Sequence, residues 1–162
     1  MSMLTRREFT LSLAALAGTQ AIARPLTPAE KNARHSVLML NAACGDAQRL
    51  NLFEPAILRV NAGDTVTFLA TDSGHNTASK RGMIPQGATP WNGGIDEEIS
   101  VTLSIPGIYG YICLPHYEMG MVGLIIAGDN LTNLAAASKL RHPGQAHAAF
   151  RALLKTLEPH KA

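Results

Sequence analysis

The segment of residues 111–121 carries side chains that bind soft metal ions. Within nine positions it holds one thiol, one imidazole and two thioethers, those of Cys113, His116, Met119 and Met121. A second imidazole, His75, lies well upstream between a glycine and an asparagine. A fold that uses this set must bring the His75 loop against residues 111–121. This requirement constrains the architecture more than any other feature of the chain.

The types of side chain favour copper. Two histidines and a cysteine in a trigonal plane, with a weak axial methionine, form the site of mononuclear copper proteins that transfer electrons. Copper that cycles between Cu(I) and Cu(II) needs ligands that suit both ions, and these ligands do. We therefore expect one copper ion bound by the Cys113 thiolate, the His75 and His116 imidazoles and a methionine sulfur.

Short apolar or alternating runs, separated by turn residues, predict strands from residue 35 onward. In 65–69 the polar and apolar residues alternate, so that Val66 and Phe68 should face the core. The pattern yields six or seven strands, which is enough for two packed sheets. The other expected strands cover 36–40, 56–60, 99–104, 108–112 and 123–127.

After residue 130 the pattern changes to a helical period. Residues 131–140 are rich in alanine, and within 145–157 a set of apolar residues recurs at helical spacing. Two short helices should therefore cover one face or edge of the sandwich. Protection of a sheet edge would be sufficient reason for their presence.

The central part of the chain resembles the cupredoxin family of small blue-copper proteins, and within it most closely the pseudoazurins. The similar segments are 52–56, 62–68, 74–76, 83–85 and 113–121. The resemblance implies an all-β, Greek-key sandwich with two short C-terminal α-helices. It also implies that Met121 is the axial ligand, whereas Met119 would fit a tighter, amicyanin-like loop. Asn76 and Pro115 are the expected neighbours of the ligands. Asn76 should join the two ligand loops, which are the His75 loop and the loop of residues 113–121, by hydrogen bonds.

The resemblance also implies an apolar rim around the exposed edge of His116, formed by Pro115, Met119, Met83 and Pro85. A hydroxyl residue usually follows the cysteine and joins the bridge between the ligand loops, but position 114 is leucine. Related proteins carry a collar of lysines around the copper, which is depleted here to Lys80 and Arg81. We therefore expect electrostatic steering towards partners to be weaker and less dependent on salt.

The first 23 residues have the features of an export signal. Arg6 and Arg7 precede a mostly apolar stretch that ends in small residues. The arginine pair also resembles a twin-arginine signal, although an ordinary secretory signal has the same basic start. The stretch is too short and too interrupted to span a bilayer. We therefore expect a periplasmic protein without stable membrane insertion.

These features together predict a one-electron carrier rather than an enzyme. The 162 residues suit one domain, and the net charge of +2 is too small and too scattered for binding to nucleic acid. The expected divisions are a signal at 1–23, an extension at 24–34, a cupredoxin domain at 35–129 and helices at 130–162 on the same domain. Expected partners of this monomer are a nitrite reductase, a cytochrome or a dehydrogenase.

Two other functions fit parts of the sequence. One is a copper delivery or storage protein with no redox role, and the other is a metal-free binding domain with a disulfide between Cys44 and Cys113. That disulfide would remove the thiol on which the copper site depends. The histidines outside the cluster are interpreted as surface residues, namely His35, His142, His147 and His160.

Overall fold

Two four-stranded sheets make up most of this computed structural model, which describes residues 33–43 and 45–158. The strands are β1 (Arg34–Ala43), β2 (Asp46–Glu54), β3 (Ile57–Val60), β4 (Thr65–Leu69), β5 (Ala78–Ser79), β6 (Ile99–Thr102), β7 (Gly107–Ile112) and β8 (Val122–Ala127). Two helices follow, α1 (Leu134–Ser138) and α2 (Ala146–Lys155). The signal-peptide prediction for 1–23, Cys44 and His160 lie outside the described residues.

The order of the strands shows a sandwich with crossovers between its sheets. The first sheet runs β2-β1-β4-β6 and the second β3-β8-β7-β5. Strand β1 is antiparallel to β2 but parallel to β4, and β3 is parallel to β8. Parallel neighbours that are distant in sequence require long connections between the two sheets. This arrangement confirms the predicted all-β cupredoxin-like sandwich with C-terminal helices.

The core between the sheets is rich in aromatic side chains. Tyr111 packs edge-to-face on Phe53 and Phe68, with ring centroids 4.8 and 5.0 Å apart. Val66 and Phe68 are fully buried, as the alternating pattern of β4 predicts. Cys113 and Met121 belong to this same cluster of buried residues. The predicted metal site is therefore continuous with the packed core between the sheets.

The helices cover a face of the second sheet. Phe150 and Leu154 of α2 are buried against side chains from β7 and β8, including Leu124 and Ile126. Since β8 is an inner strand, α2 covers the surface of the sheet rather than its edge. Within the described range, no helix has the length and apolar character needed to cross a bilayer.

Candidate metal centre

The ligand-bearing segments come from two neighbouring places in the sandwich. Strand β7 ends at Ile112, directly before Cys113, and the chain returns to the sheet where β8 begins, directly after Met121. The loop between them is tight: the N–H of Cys113 donates to the carbonyl of Met121, and the N–H of Met121 donates to the carbonyl of His116, both at 3.1 Å. His75 lies in the loop that follows β4.

Three side-chain atoms converge where these loops meet. His75 Nδ1 lies 3.1 Å from His116 Nδ1, and the Cys113 Sγ lies 3.8 and 3.5 Å from these two nitrogens respectively. In a triangle with these sides, the point equidistant from the three atoms lies about 2.0 Å from each. Metal–imidazole and metal–thiolate bonds in proteins measure about 2.0 to 2.3 Å. The triangle therefore has the size that a transition-metal ion needs.

The two candidate axial methionines differ sharply in environment. Met121 is fully buried in the cluster that contains Cys113, whereas the side chain of Met119 is 53% exposed. A weak sulfur ligand has to be held in place by its surroundings, because its bond to the metal is long and soft. The buried position of Met121 meets that requirement, and the exposed position of Met119 does not.

Asn41 orients the His75 ring, a role that the sequence did not reveal. His75 Nε2 lies 2.9 Å from Asn41 Oδ1, an acceptor, so the proton of the neutral ring belongs on Nε2. The lone pair of Nδ1 is then directed into the triangle of candidate ligand atoms. A second-layer hydrogen bond of this kind fixes the tautomer and the orientation of a metal-binding histidine. Asn41 follows an apolar run near the end of β1 and has no motif that marks it.

Asn76 joins the two ligand loops through the backbone. Its Oδ1 accepts a hydrogen bond of 2.7 Å from the N–H of Leu114, and its Nδ2 donates to the carbonyl of Gly93 at 2.9 Å. The missing hydroxyl at position 114 therefore leaves this bridge intact, because an amide N–H serves as the donor. Asn76 is 2% exposed, and its two bonds satisfy a polar group that would otherwise be costly to bury.

The surroundings favour the uncharged forms of His75 and Cys113. Burial lowers the pKa of His75, and the neighbouring His116 lowers it further, against opposing effects of Asp72 and Asp96. Burial raises the pKa of Cys113, although the backbone N–H groups of Asn76 and His116 oppose this effect. Cys113 is a free thiol. A metal ion that binds here therefore displaces the thiol proton.

The exposed rim of the site is smaller than the sequence predicted. Leu114 and Met119 are 52% and 53% exposed, and Pro115 is also exposed beside the half-buried His116. Met83 and Pro85 are buried, so the prediction that they line the rim is wrong. Met83 instead fills the space over Gly110, where an added Cβ would lie 2.8 Å from it.

The chain before α2 is attached to the ligand loop. The N–H of Gln145 donates to the carbonyl of Glu118 at 2.8 Å, and Tyr117 Oη lies 2.7 Å from His142 Nδ1. Burial lowers the pKa of His142, and the nearby charges of Lys80 and His147 lower it further. The interpretation of His142 as a simple surface residue is therefore wrong.

His35 is also more than a surface side chain. Its Nε2 lies 2.8 Å from Oδ2 of the fully buried Asp64, and the His35 side chain is 27% exposed. This pair lies at the start of β4, at the opposite end of that strand from the His75 loop. It belongs to the scaffold rather than to the metal site.

Comparisons with known proteins agree with this geometry. Residues 42–128 match a family described as copper binding proteins, plastocyanin/azurin family. The chain is 40% identical over 126 residues to a pseudoazurin of Methylorubrum extorquens, covering 78% of this chain and 83% of that protein. It is also 40% identical over 114 residues to a pseudoazurin of Paracoccus pantotrophus, covering 70% and 77% respectively. The structure of a pseudoazurin from Sinorhizobium meliloti superposes with a TM-score of 0.73 at 45% identity, covering 79% of this chain and 98% of that one.

Proposed function

Because this chain belongs to the plastocyanin/azurin family of copper-binding proteins, we propose that it is a soluble electron carrier of the periplasm that holds one copper ion. The observation that carries this proposal is the triangle of His75 Nδ1, His116 Nδ1 and Cys113 Sγ, whose size and donor atoms suit copper. We assign these three atoms as equatorial ligands and the sulfur of Met121 as the axial ligand.

The bound copper supplies a reversible one-electron change between Cu(I) and Cu(II). The task of the protein is to keep the ligands still during that change, since movement of ligands slows electron transfer. Strand ends hold the ligand loops, Asn41 fixes the His75 ring and Asn76 ties one loop to the other. Well-supported ligands of this kind are what a site with low reorganisation needs.

A carrier also needs a way for electrons to enter and leave. The half-buried His116 sits beside exposed Leu114 and Met119, so a partner can approach the ring without moving the chain. Four protein ligands leave no position for a substrate, which favours a carrier over an enzyme. We propose that a nitrite reductase, a cytochrome or a dehydrogenase exchanges one electron at this edge.

The domain limits complete the proposal. We propose that residues 1–23 direct export and that residues 35–129 form the copper-binding unit, with 130–162 packed on the same domain. The hydrogen bonds of Glu118 and Tyr117 with the segment before α2 support a single unit, because they join the ligand loop to the C-terminal region.

Addition of Cu(II) to the purified protein tests the proposal. An intense visible thiolate-to-copper absorption band, a type 1 EPR spectrum and reversible voltammetry are the expected results. Cys113→Ser should abolish the band, because a hydroxyl group cannot replace the thiolate. A colourless complex that forms only with Cu(I) would contradict the carrier function and favour delivery or storage of copper.

A matched pair of variants tests the axial ligand. Met121→Leu should shift the reduction potential and the absorption spectrum, because the weak axial sulfur helps to set both. Met119→Leu removes the same sulfur from an exposed position and should leave both unchanged. The reverse pattern, with Met119→Leu shifting the potential and Met121→Leu silent, would exclude the assignment of Met121.

A further inference from the structure

Carboxylates border the His75 side of the metal centre. The N–H of Gly74 donates to Oδ1 of Asp96 at 2.6 Å, and the N–H of Asp96 donates to the carbonyl of His75 at 2.8 Å. Glu97 and Glu98 follow in the same exposed segment. Asp72 precedes His75 in the same loop, and its Oδ2 accepts a hydrogen bond of 2.7 Å from the N–H of Asn41. Four negative charges therefore lie in segments that contact His75 or its hydrogen-bond partner.

No cation neutralises these carboxylates in the part of the chain that the structure describes. The salt bridge found there joins His35 to Asp64, at the far end of β4. Of the two basic residues left in the depleted collar, Arg81 is exposed and Lys80 has its Nζ 5.5 Å from the centre of the ring of Tyr117, the residue that follows His116. The segments that bond to His75 and Asn41 therefore carry acidic groups, whereas Lys80 lies near Tyr117.

Two exposed apolar residues belong to the segments that surround His75. Leu114 is 52% exposed and donates its N–H to Asn76, the neighbour of His75. Ile95 is 54% exposed and directly precedes Asp96. An apolar centre with a charged border suits brief encounters, in which charge guides approach and apolar contact completes it.

We propose that this face docks a redox protein whose own electron-transfer edge is apolar at its centre and bordered by lysines or arginines. The basic border would meet Asp96, Glu97 and Glu98, while the apolar centre covers Leu114 beside His116. Opposite charges speed association at low salt, and the Debye length of about 8 Å at physiological ionic strength limits the effect to nearby groups. The inference rests on the proposed function as an electron carrier and adds the chemistry of the partner. It differs from the expectation of steering that depends little on salt, because that expectation considered the depleted lysines and not the carboxylates beside His75.

Small redox complexes of known charge test the sign of the electrostatic potential around the copper site. The copper-loaded Cu(II) protein is reduced by the cation hexaammineruthenium(II) or by the anion iron(II)-EDTA, each over a range of ionic strength in a stopped-flow instrument. Reduction by the cation should slow as salt is added, and reduction by the anion should accelerate. Rates that are independent of salt, or that change in the opposite directions, would overturn the proposal.

A double variant locates the charge on the protein. In Glu97→Gln/Glu98→Gln, reduction by the cation and by a lysine-rich c-type cytochrome should fall roughly two- to fivefold at low salt. The matched control is Asp129→Asn/Glu158→Gln, which removes two exposed charges: Asp129 lies beyond the far end of β8, and Glu158 lies beyond the end of α2. The control should leave these rates unchanged.

The two proposals fail in different ways. If the double variant and its control reacted at the same rate, the docking face would lie elsewhere, although the protein would still be a carrier. If the unmodified protein formed no reducible copper complex, the electron-carrier function itself would be wrong. The absorption band of the bound copper, recorded before each kinetic run, separates these two outcomes.

Discussion

At the scale of single residues, Asp64 shows how a buried charge is made stable. Its carboxylate is fully buried and accepts hydrogen bonds from the backbone N–H groups of Ala33 and Asn61, both at 2.9 Å, beside the contact with His35. Burial tends to raise the pKa of Asp64, but the hydrogen bond with His35 and those from the two backbone N–H groups outweigh that effect and hold the pKa below its usual value. The carboxylate therefore ties the start of β1 and the turn before β4 together.

The lowered pKa of Asp64 predicts how stability depends on pH. Its contribution should be complete above the unfolded-state pKa of about 3.9 and should be lost as the pH falls towards the folded-state value. Asp64→Asn should lower the free energy of unfolding of the copper-free protein by roughly 1.5 to 3 kcal/mol at pH 6. The difference from the unmodified protein should shrink at pH 3, as measured by urea denaturation. Asp129→Asn, an exposed control, should have little effect at either pH; an equally large loss there would contradict this account.

The role of a residue can be predicted from sequence when its type and spacing allow few other roles. His75, Cys113 and His116 converge as predicted because their types and spacing leave few other uses. Asn41 was not predicted, since an asparagine near a strand end has many possible partners. Met83 was assigned to the rim because it lies in a segment that resembles the family, but burial is decided by how β7 packs around Gly110, which the local sequence does not reveal.

At the scale of elements, the alternation of polar and apolar residues predicted strand limits most reliably. The predicted strand at 65–69 has the same limits as β4, where polar and apolar residues alternate strictly. Strand β2 (Asp46–Glu54) was missed because its first half is polar, and its position follows from antiparallel pairing with β1 rather than from its own pattern. The two residues of β5 are too few for any period to be visible. The positions of β2 and β5 are therefore set by pairing with distant strands, which the local sequence does not reveal.

The contact between the ligand loop and the segment before α2 can be tested at Gly144. This residue has φ = +50°, and an added Cβ would lie 2.4 Å from the carbonyl oxygen of Glu118. Gly144→Ala should lower the free energy of unfolding by about 2 to 4 kcal/mol, as left-handed strain and the clash add together. It should also change the copper absorption band, because the ligand loop has to move. Thermal or urea denaturation and optical spectra measure both effects.

Gly45 provides the matched control for this variant. It has φ = +78°, and an added Cβ would meet no atom of the described residues within 4 Å. Gly45→Ala should therefore cost only the backbone strain, about 1 to 2 kcal/mol, with the copper spectrum unchanged. Equal effects of the two substitutions would show that the contact with Glu118 does not hold the ligand loop.

At the scale of the whole molecule, the C-terminal helices are part of the fold rather than an appendage. They bury a second apolar cluster, which includes Ile108, Leu124 and Ile126 on the outer face of the second sheet. Without them these side chains would meet water on a continuous surface, and such patches promote aggregation. The sandwich thus has two apolar layers, one between its sheets and one beneath α2.

Truncation of the chain at either end tests this view. Removal of residues 130–162 should abolish cooperative unfolding or make the protein aggregate, because the outer face of the sheet loses its cover. Removal of residues 1–23, the proposed export signal, should preserve copper binding and the midpoint of thermal unfolding, because such a signal is cleaved from the mature protein. Calorimetry and sedimentation measure both. If the protein lacking 130–162 stayed monomeric with an unchanged copper spectrum, the helices would be dispensable for the domain.

The backbone bond between Leu114 and Asn76 leaves the identity of one surface residue open. Every amino acid except proline offers the same amide N–H at position 114, so the side chain there can change while the link between the ligand loops persists. Evolution can therefore adjust the docking surface at this position independently of the metal chemistry. An engineer can use the same freedom to place an anchoring group at position 114 and connect the protein to an electrode.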